Sequence, residues 1–220
     1  FNATVANSKV KPSASAQNFE NALIRGFSQN HADLTVASAE SIAQFPQGNR
    51  LILKKRMDLL PEGIVTSVIP AINLPFLKQA CHASGADRLL KKWLKENKND
   101  RHKCVLTYGI YPAVVKRLQR TCKKYGCKMV AVVTDVPSTM FTYTQSSPLK
   151  RLLSKVYRKS AIALQDQFDG YIYLTEAMAG EVAPGKPYIV AETIADITIF
   201  NNIGEVPKAT PPAIMYAGAL

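Results

Sequence analysis

The sequence predicts an α/β protein with a Rossmann-like, mostly parallel sheet and helices on both faces. Three observations predict it. Short apolar, β-branched runs alternate with helix-period segments along most of the chain. One stretch reads as a complete strand–helix–strand unit. It runs from Lys103–Thr107 through a loop at Gly109 and a helix opened by Pro112 and closed by Gly126, to Lys128–Thr134. Its strands are continuously apolar, as in a sheet covered on both sides.

The elements follow in order. Ser13 and Ser15 can cap a helix from about Ala16 to Gln29, with Phe19, Leu23, Ile24 and Phe27 at three- and four-residue steps. Asp33–Ala39, Arg50–Lys55 and Gly63–Pro70 read as strands. Asn73 then caps a helix whose first turn holds Pro75 and which continues to Cys81. Gly85 breaks that pattern, and Asp87 restarts a helix to about Lys98. After the strand–helix–strand unit come a long polar loop, Asp135–Ser147, and a basic helix, Pro148–Gln165. Strand Asp169–Leu174, a short helix capped by Thr175 and strand Tyr188–Ala191 complete the set. Residues 1–200 read as one domain and 201–212, with Gly204, Pro207, Pro211 and Pro212, as a linker. Residues 213–220 read as the first strand of a further, truncated domain. The first residues carry no secretory leader pattern, and both ends read as cut.

Composition narrows the class. The chain has 220 residues, 47 % hydrophobic and 20 % charged, with 11 Gly and 13 Pro, which excludes disordered and collagen-like chains. The longest apolar runs, such as Met129–Val133, are strand-length and not the ~20 residues a bilayer crossing needs. Cys81, Cys104, Cys122 and Cys127, and His31, His82 and His102, show no zinc-ligand spacing. Reduced thiols in a cytosolic protein, no metal and no cofactor are the expectation. The dinucleotide, P-loop and serine-hydrolase fingerprints are absent, so those three enzyme classes lose ground.

Charge is the strongest chemical signal. The formal net charge is +12, and Arg88–Lys159 holds 18 Lys and Arg against Glu96, Asp100 and Asp135. Lys91, Lys92, Trp93 and Lys95 lie on one basic amphipathic helix. Lys150, Arg151, Lys155, Arg158 and Lys159 lie on another. Such helices suit either an anionic membrane surface or ordinary packing with a solvated face. Nucleic acid is the other partner for a basic surface, but no nucleic-acid-binding signature accompanies it, and it ranks lower.

Ligands of parallel sheets bind beyond the carboxyl ends of the strands, which selects three loops. Asp135 ends a very apolar strand; it can serve as a base, hold a hydroxyl or an amide, or cap the N–H of Ser138 or Thr139. Tyr108 and Tyr111 can stack on a sugar or ring, or pack inside. Thr175 and Glu176 follow the Asp169–Leu174 strand and can cap a helix or touch a ligand. Ser13 and Ser15 can cap or meet an anion at a helix start. Glu192 and Asp196 read as solvated or capping groups.

Lys11–Phe27 (KPSASAQNFENALIRGF), Val68–Gln79 (VIPAINLPFLKQ), Val132–Phe141 (VVTDVPSTMF), Asp169–Met178 (DGYIYLTEAM), Lys186–Glu192 (KPYIVAE) and Pro211–Leu220 (PPAIMYAGAL) together resemble the amino-terminal half of a GT-B glycosyltransferase. The resemblance is to the retaining, family-four-like enzymes of bacterial polysaccharide assembly, with Asp135 where several relatives carry His. It implies an acceptor-binding domain over residues 1–200, and residues 213–220 as the first strand of the donor-binding domain. It further implies a nucleotide-sugar donor held mainly by that second domain, no metal, and an acceptor that is a glycan or lipid-linked. A place at the cytoplasmic face of the cell membrane, and a chain inactive by itself, follow from the same resemblance. The alternative is a non-catalytic basic α/β module for a membrane surface or nucleic acid.

Overall fold

A computed structural model describes residues 14–30, 32–60, 63–100, 102–138 and 148–192. Its order is α1 (Ala14–Gln29), β1 (Val36–Ala39), β2 (Ile52–Leu53), β3 (Arg56–Leu59), β4 (Val65–Ile69), β5 (Ala71–Ile72) and α2 (Leu77–Glu96). Then come β6 (Cys104–Tyr108), α3 (Pro112–Tyr125), β7 (Lys128–Val133), α4 (Pro148–Ile162), β8 (Gly170–Tyr173), α5 (Ala177–Val182) and β9 (Tyr188–Val190). The expected linker and final strand, and Ser13, Thr139 and Asp196, lie outside the described residues.

The second half forms the predicted α/β layer. Strands β6, β7, β8 and β9 pair in that order, all parallel. β7 is central and apolar after Lys128, with Ala131, Val132 and Val133 almost wholly buried. Met129, Ala131, Val133, Tyr171 and Tyr173 share a core with Leu90 and Leu94 of α2, Val115, Leu118 and Cys122 of α3, and Ala161 of α4. Tyr108, Val132, Ile172 and Ile189 stand opposite one another on the other pleat, where Phe19 of α1 brings its ring to 6.0 Å from that of Tyr108. Pro112 opens α3, and Gly126, at φ 64°, closes it with its N–H on Cys122 O. Asp169 ties the next strand in: it accepts from the Met129 N–H at 2.9 Å and from Lys128 Nζ at 3.0 Å.

The first half departs from one mostly parallel sheet. β1 and β4 are parallel, but β3 joins β4 antiparallel, and β2 with β5 forms a separate antiparallel pair. The strand expected over Arg50–Lys55 shrinks to Ile52–Leu53, and β3 was not foreseen. Gly63, at φ 78°, permits the turn that returns β3 into β4, closed by the Leu60 N–H on Ile64 O. Arg56 anchors the strand through Asp58 at 2.9 Å and Glu40 at 2.9 Å.

Two further expectations are corrected. Asn73 does not cap a helix. It is fully buried, and its Nδ2 donates to Ala43 O and Arg50 O, both at 2.9 Å, bracing the 43–50 loop. Gly85 does not break the helix either, because α2 runs straight through it. A Cβ there would overlap Ile69 Cγ2 of β4, so the glycine allows close helix–strand approach.

Candidate functional site

Three sequence-predicted residues come together at the carboxyl ends of β6 and β7. Tyr108 closes β6. Gly109, at φ 76°, turns the chain so that Tyr111 returns over it. Thr134, at the end of β7, donates to Asp135 Oδ2 at 3.3 Å and acts against burial on the Tyr108 phenol. Both tyrosine hydroxyls sit in the field of Asp135 and of Glu20 from α1. Burial first, then those carboxylates, push both phenols above their usual range. The Tyr157 phenol of α4 is raised for the same main reason, with Tyr111 a lesser contribution. Tyr111 is 49 % exposed, so the cluster opens to solvent.

Glu20 is the member that sequence reasoning missed. Burial raises its carboxyl above the ordinary 4.5. Such a carboxyl favours the fold when protonated; the penalty appears as pH rises through its folded value. Glu20→Gln is therefore expected to raise Tm at pH about 8 and leave it unchanged at pH about 4, a thermal-melt comparison resting on that linkage. An equal Tm gain at both pH values would remove ionisation as the cause.

The remaining candidates occupy neighbouring loops. Ser138 donates to Glu181 Oε1 at 2.7 Å, and Arg158 Nη1 reaches Ser138 O at 3.5 Å. Thr175 is exposed, and its carbonyl accepts from the Met178 N–H at the start of α5. Glu176, not Thr175, is the helix-cap residue, with no side-chain cap bond, and its carboxylate accepts from the Tyr188 hydroxyl. Ser15 falls in the first turn of α1 instead of before it. Among the described residues no group of three or more His, Cys, Asp or Glu gathers to hold a metal. Burial pushes the Cys122 thiol up to about 12.

The basic residues separate into unlike sets. On α2, Lys91 pairs with Asp87 at 2.7 Å and Lys92 with Glu96 at 3.7 Å, while Trp93 packs on the core. Lys95 instead lines a cleft with Leu94, Lys98, Lys103 and Tyr125. On α4, Arg151, Lys155 and Lys159 are exposed beside Leu152 and Val156, themselves 59 % and 57 % exposed. Lys150 belongs to the first turn of that helix. Among the described residues no helix is long and apolar enough to cross a membrane. No family model matches the chain, and no curated protein matches it significantly.

Proposed function

We propose that the chain is the acceptor-binding half of a retaining glycosyltransferase. It would serve a transfer from a nucleotide sugar to a glycan or lipid-linked acceptor in cell-surface polysaccharide assembly. The observation that carries this reading is the cluster of Tyr108, Tyr111, Thr134, Asp135 and Glu20 at the carboxyl edge of a parallel sheet. Its parts suit a sugar. Aromatic rings offer flat apolar faces, and carboxylates and hydroxyls bond sugar hydroxyls. Acceptor positioning is the contribution such a half makes, since orientation alone accounts for a large share of transfer rates. Asp135 is the residue proposed to touch the reacting acceptor, with Ser138, Thr175 and Glu176 at the rim. The donor nucleotide belongs to the second domain of the resemblance, and no cofactor or metal is assigned to this one.

Arg151, Lys155, Arg158 and Lys159, with exposed Leu152 and Val156, support peripheral attachment at an anionic, cytoplasmic membrane face. Each basic residue near such a leaflet contributes about 1 kcal/mol. A second reading, a non-catalytic basic module, is favoured by α3 alone, whose Lys116, Arg117, Arg120, Lys123 and Lys124 are exposed with no acid on the helix.

The test uses the complete gene product. A nucleotide sugar is expected to raise its Tm, and Asp135→Asn is expected to lower kcat/KM for the acceptor about tenfold or more, equivalent to about 1.4 kcal/mol. This chain alone is expected to transfer no sugar. Absence of any stabilising nucleotide sugar would move the reading to the non-catalytic module.

A further inference from the structure

The end of α2 builds a second site, apart from the tyrosine–carboxylate cluster. Leu94, Lys95, Lys98, Lys103 and Tyr125 line a cleft of about 290 Å³, near the small end of ligand-sized cavities, which run about 300–1,000 Å³. Buried Leu94 contributes an apolar wall. Lys103 is held in place: its ammonium donates to Asn97 O at 3.0 Å and Lys98 O at 3.3 Å. Asn97 Nδ2 donates to Trp93 O at 2.9 Å. These bonds cover carbonyls at the helix end that would otherwise repel an anion. Among the described residues no carboxylate lines the cleft. Lys91 and Lys92, a turn earlier, are engaged by Asp87 and Glu96, but among the described residues Lys95 and Lys98 have no such ion pair. Lys124 stands 6.0 Å from the centre of the Tyr125 ring, adding positive charge nearby.

We propose that this cleft binds a phosphate group, as a monoester or diester. Lys95 and Lys98 close on its oxygens, Lys103 supplies its remaining N–H, and the Tyr125 hydroxyl adds a donor. Ammonium groups act as point-charge phosphate ligands, and a concave basic site focuses the field on an anion. Lys103 precedes β6 and Tyr125 precedes β7, so the cleft lies at the amino edge of the sheet, opposite the cluster at the carboxyl edge. The proposal therefore does not rest on the transferase reading.

The test titrates inorganic phosphate and glycerol phosphate into the isotope-labelled chain and follows backbone amides by NMR. Saturable shifts are expected at Lys95, Lys98, Lys103 and Tyr125, with affinity reduced about tenfold or more in Lys95→Glu/Lys98→Glu. A thermal melt checks that this variant keeps its fold. A parallel arm pellets the protein with phosphatidylglycerol or phosphatidylcholine vesicles. Binding to phosphatidylglycerol that is lost in this variant and kept in Lys54→Glu/Lys55→Glu, an equal charge reversal at exposed residues outside both sites, assigns the phosphate to a lipid headgroup. Saturable phosphate binding without that vesicle pattern assigns it to a soluble phosphate ester. Shifts that spread evenly over α3 and α4 without saturating, or that persist in the double variant, overturn the site.

Discussion

Asp87→Ala is expected to lower stability at neutral pH by about 3 kcal/mol, among the largest effects of any single side-chain deletion here. Asp87 is 7 % exposed on α2, and Thr121 of α3 donates to its Oδ1 while Lys91 Nζ donates to Oδ2 at 2.7 Å. It is the polar link in a helix pair that is otherwise joined by Leu90, Leu94, Leu118 and Cys122. Truncation leaves the buried Thr121 hydroxyl without its acceptor and Lys91 without its charge partner. Asn in place of Asp keeps an acceptor for Thr121 and loses the charge, so Asp87→Asn should fall between wild type and Ala.

The pH dependence separates this account from simple cavity formation. Burial would raise the Asp87 carboxyl; hydrogen bonds from Lys91 and Thr121, then the charges of Lys91 and Arg117, outweigh burial and hold it below 3.8. Asp169 is likewise lowered: the Met129 N–H and Lys128 overcome its burial. A depressed carboxylate contributes stability above its unfolded pKa, and that contribution disappears as pH falls through the folded value. The gap between wild type and Asp87→Asn should therefore be full at pH 6 and shrink as pH falls below 3.8 and through the folded value, by denaturant melts. A gap that is undiminished in acid would mean that shape, and not charge, carries the effect.

What could be read from the sequence was what neighbouring residues decide. Pro112, Gly126 and the run Lys128–Val133 are local signals, and the β6–α3–β7 unit stands where they put it. The errors came from distant contacts. Nothing near Asn73 announces that its side chain will hold carbonyls 23 and 30 residues away. Nothing near Arg56 announces a partner at Glu40. The site divides the same way. The place of Tyr108, Tyr111 and Asp135 at the ends of β6 and β7 was legible because the strands themselves were, and strand ends are where ligands of such sheets bind. Glu20 carried a signal that was overlooked: it sits three, four and seven residues before Leu23, Ile24 and Phe27, within the apolar stripe of α1. The phosphate cleft draws on the end of α2, the connection to β6 and the end of α3, so no single segment shows it.

Gly85 and Gly26 should respond to substitution with opposite signs. Both lie inside helices, where Gly costs about 1 kcal/mol relative to Ala. A Cβ at Gly26 meets nothing within 4 Å, so Gly26→Ala is expected to raise stability by about 0.5–1 kcal/mol. At Gly85 the same atom collides with Ile69 Cγ2. Ile69 is buried and β-branched, and cannot swing its methyl clear at low cost. Overpacking should outweigh the helix gain, and Gly85→Val is expected to lose about 2–3 kcal/mol, or roughly 5–10 °C in Tm for a chain of this size. Ile69→Ala removes the obstructing methyl and leaves a Cβ 3.5 Å away, an ordinary contact. The double variant Gly85→Val/Ile69→Ala should then be more stable than the sum of its single changes predicts, by about 1 kcal/mol or more. The consequence reaches past stability. Through Gly85, α2 rests on the first sheet, and through Leu90 and Leu94 it enters the core of the second. One rigid helix thus spans from β4 to the cleft at Lys95 and Lys98, and forcing it off Ile69 should disturb both ends. Additive single and double variants would show that the helix tolerates a shifted seat and that close approach at Gly85 does not hold the two halves together.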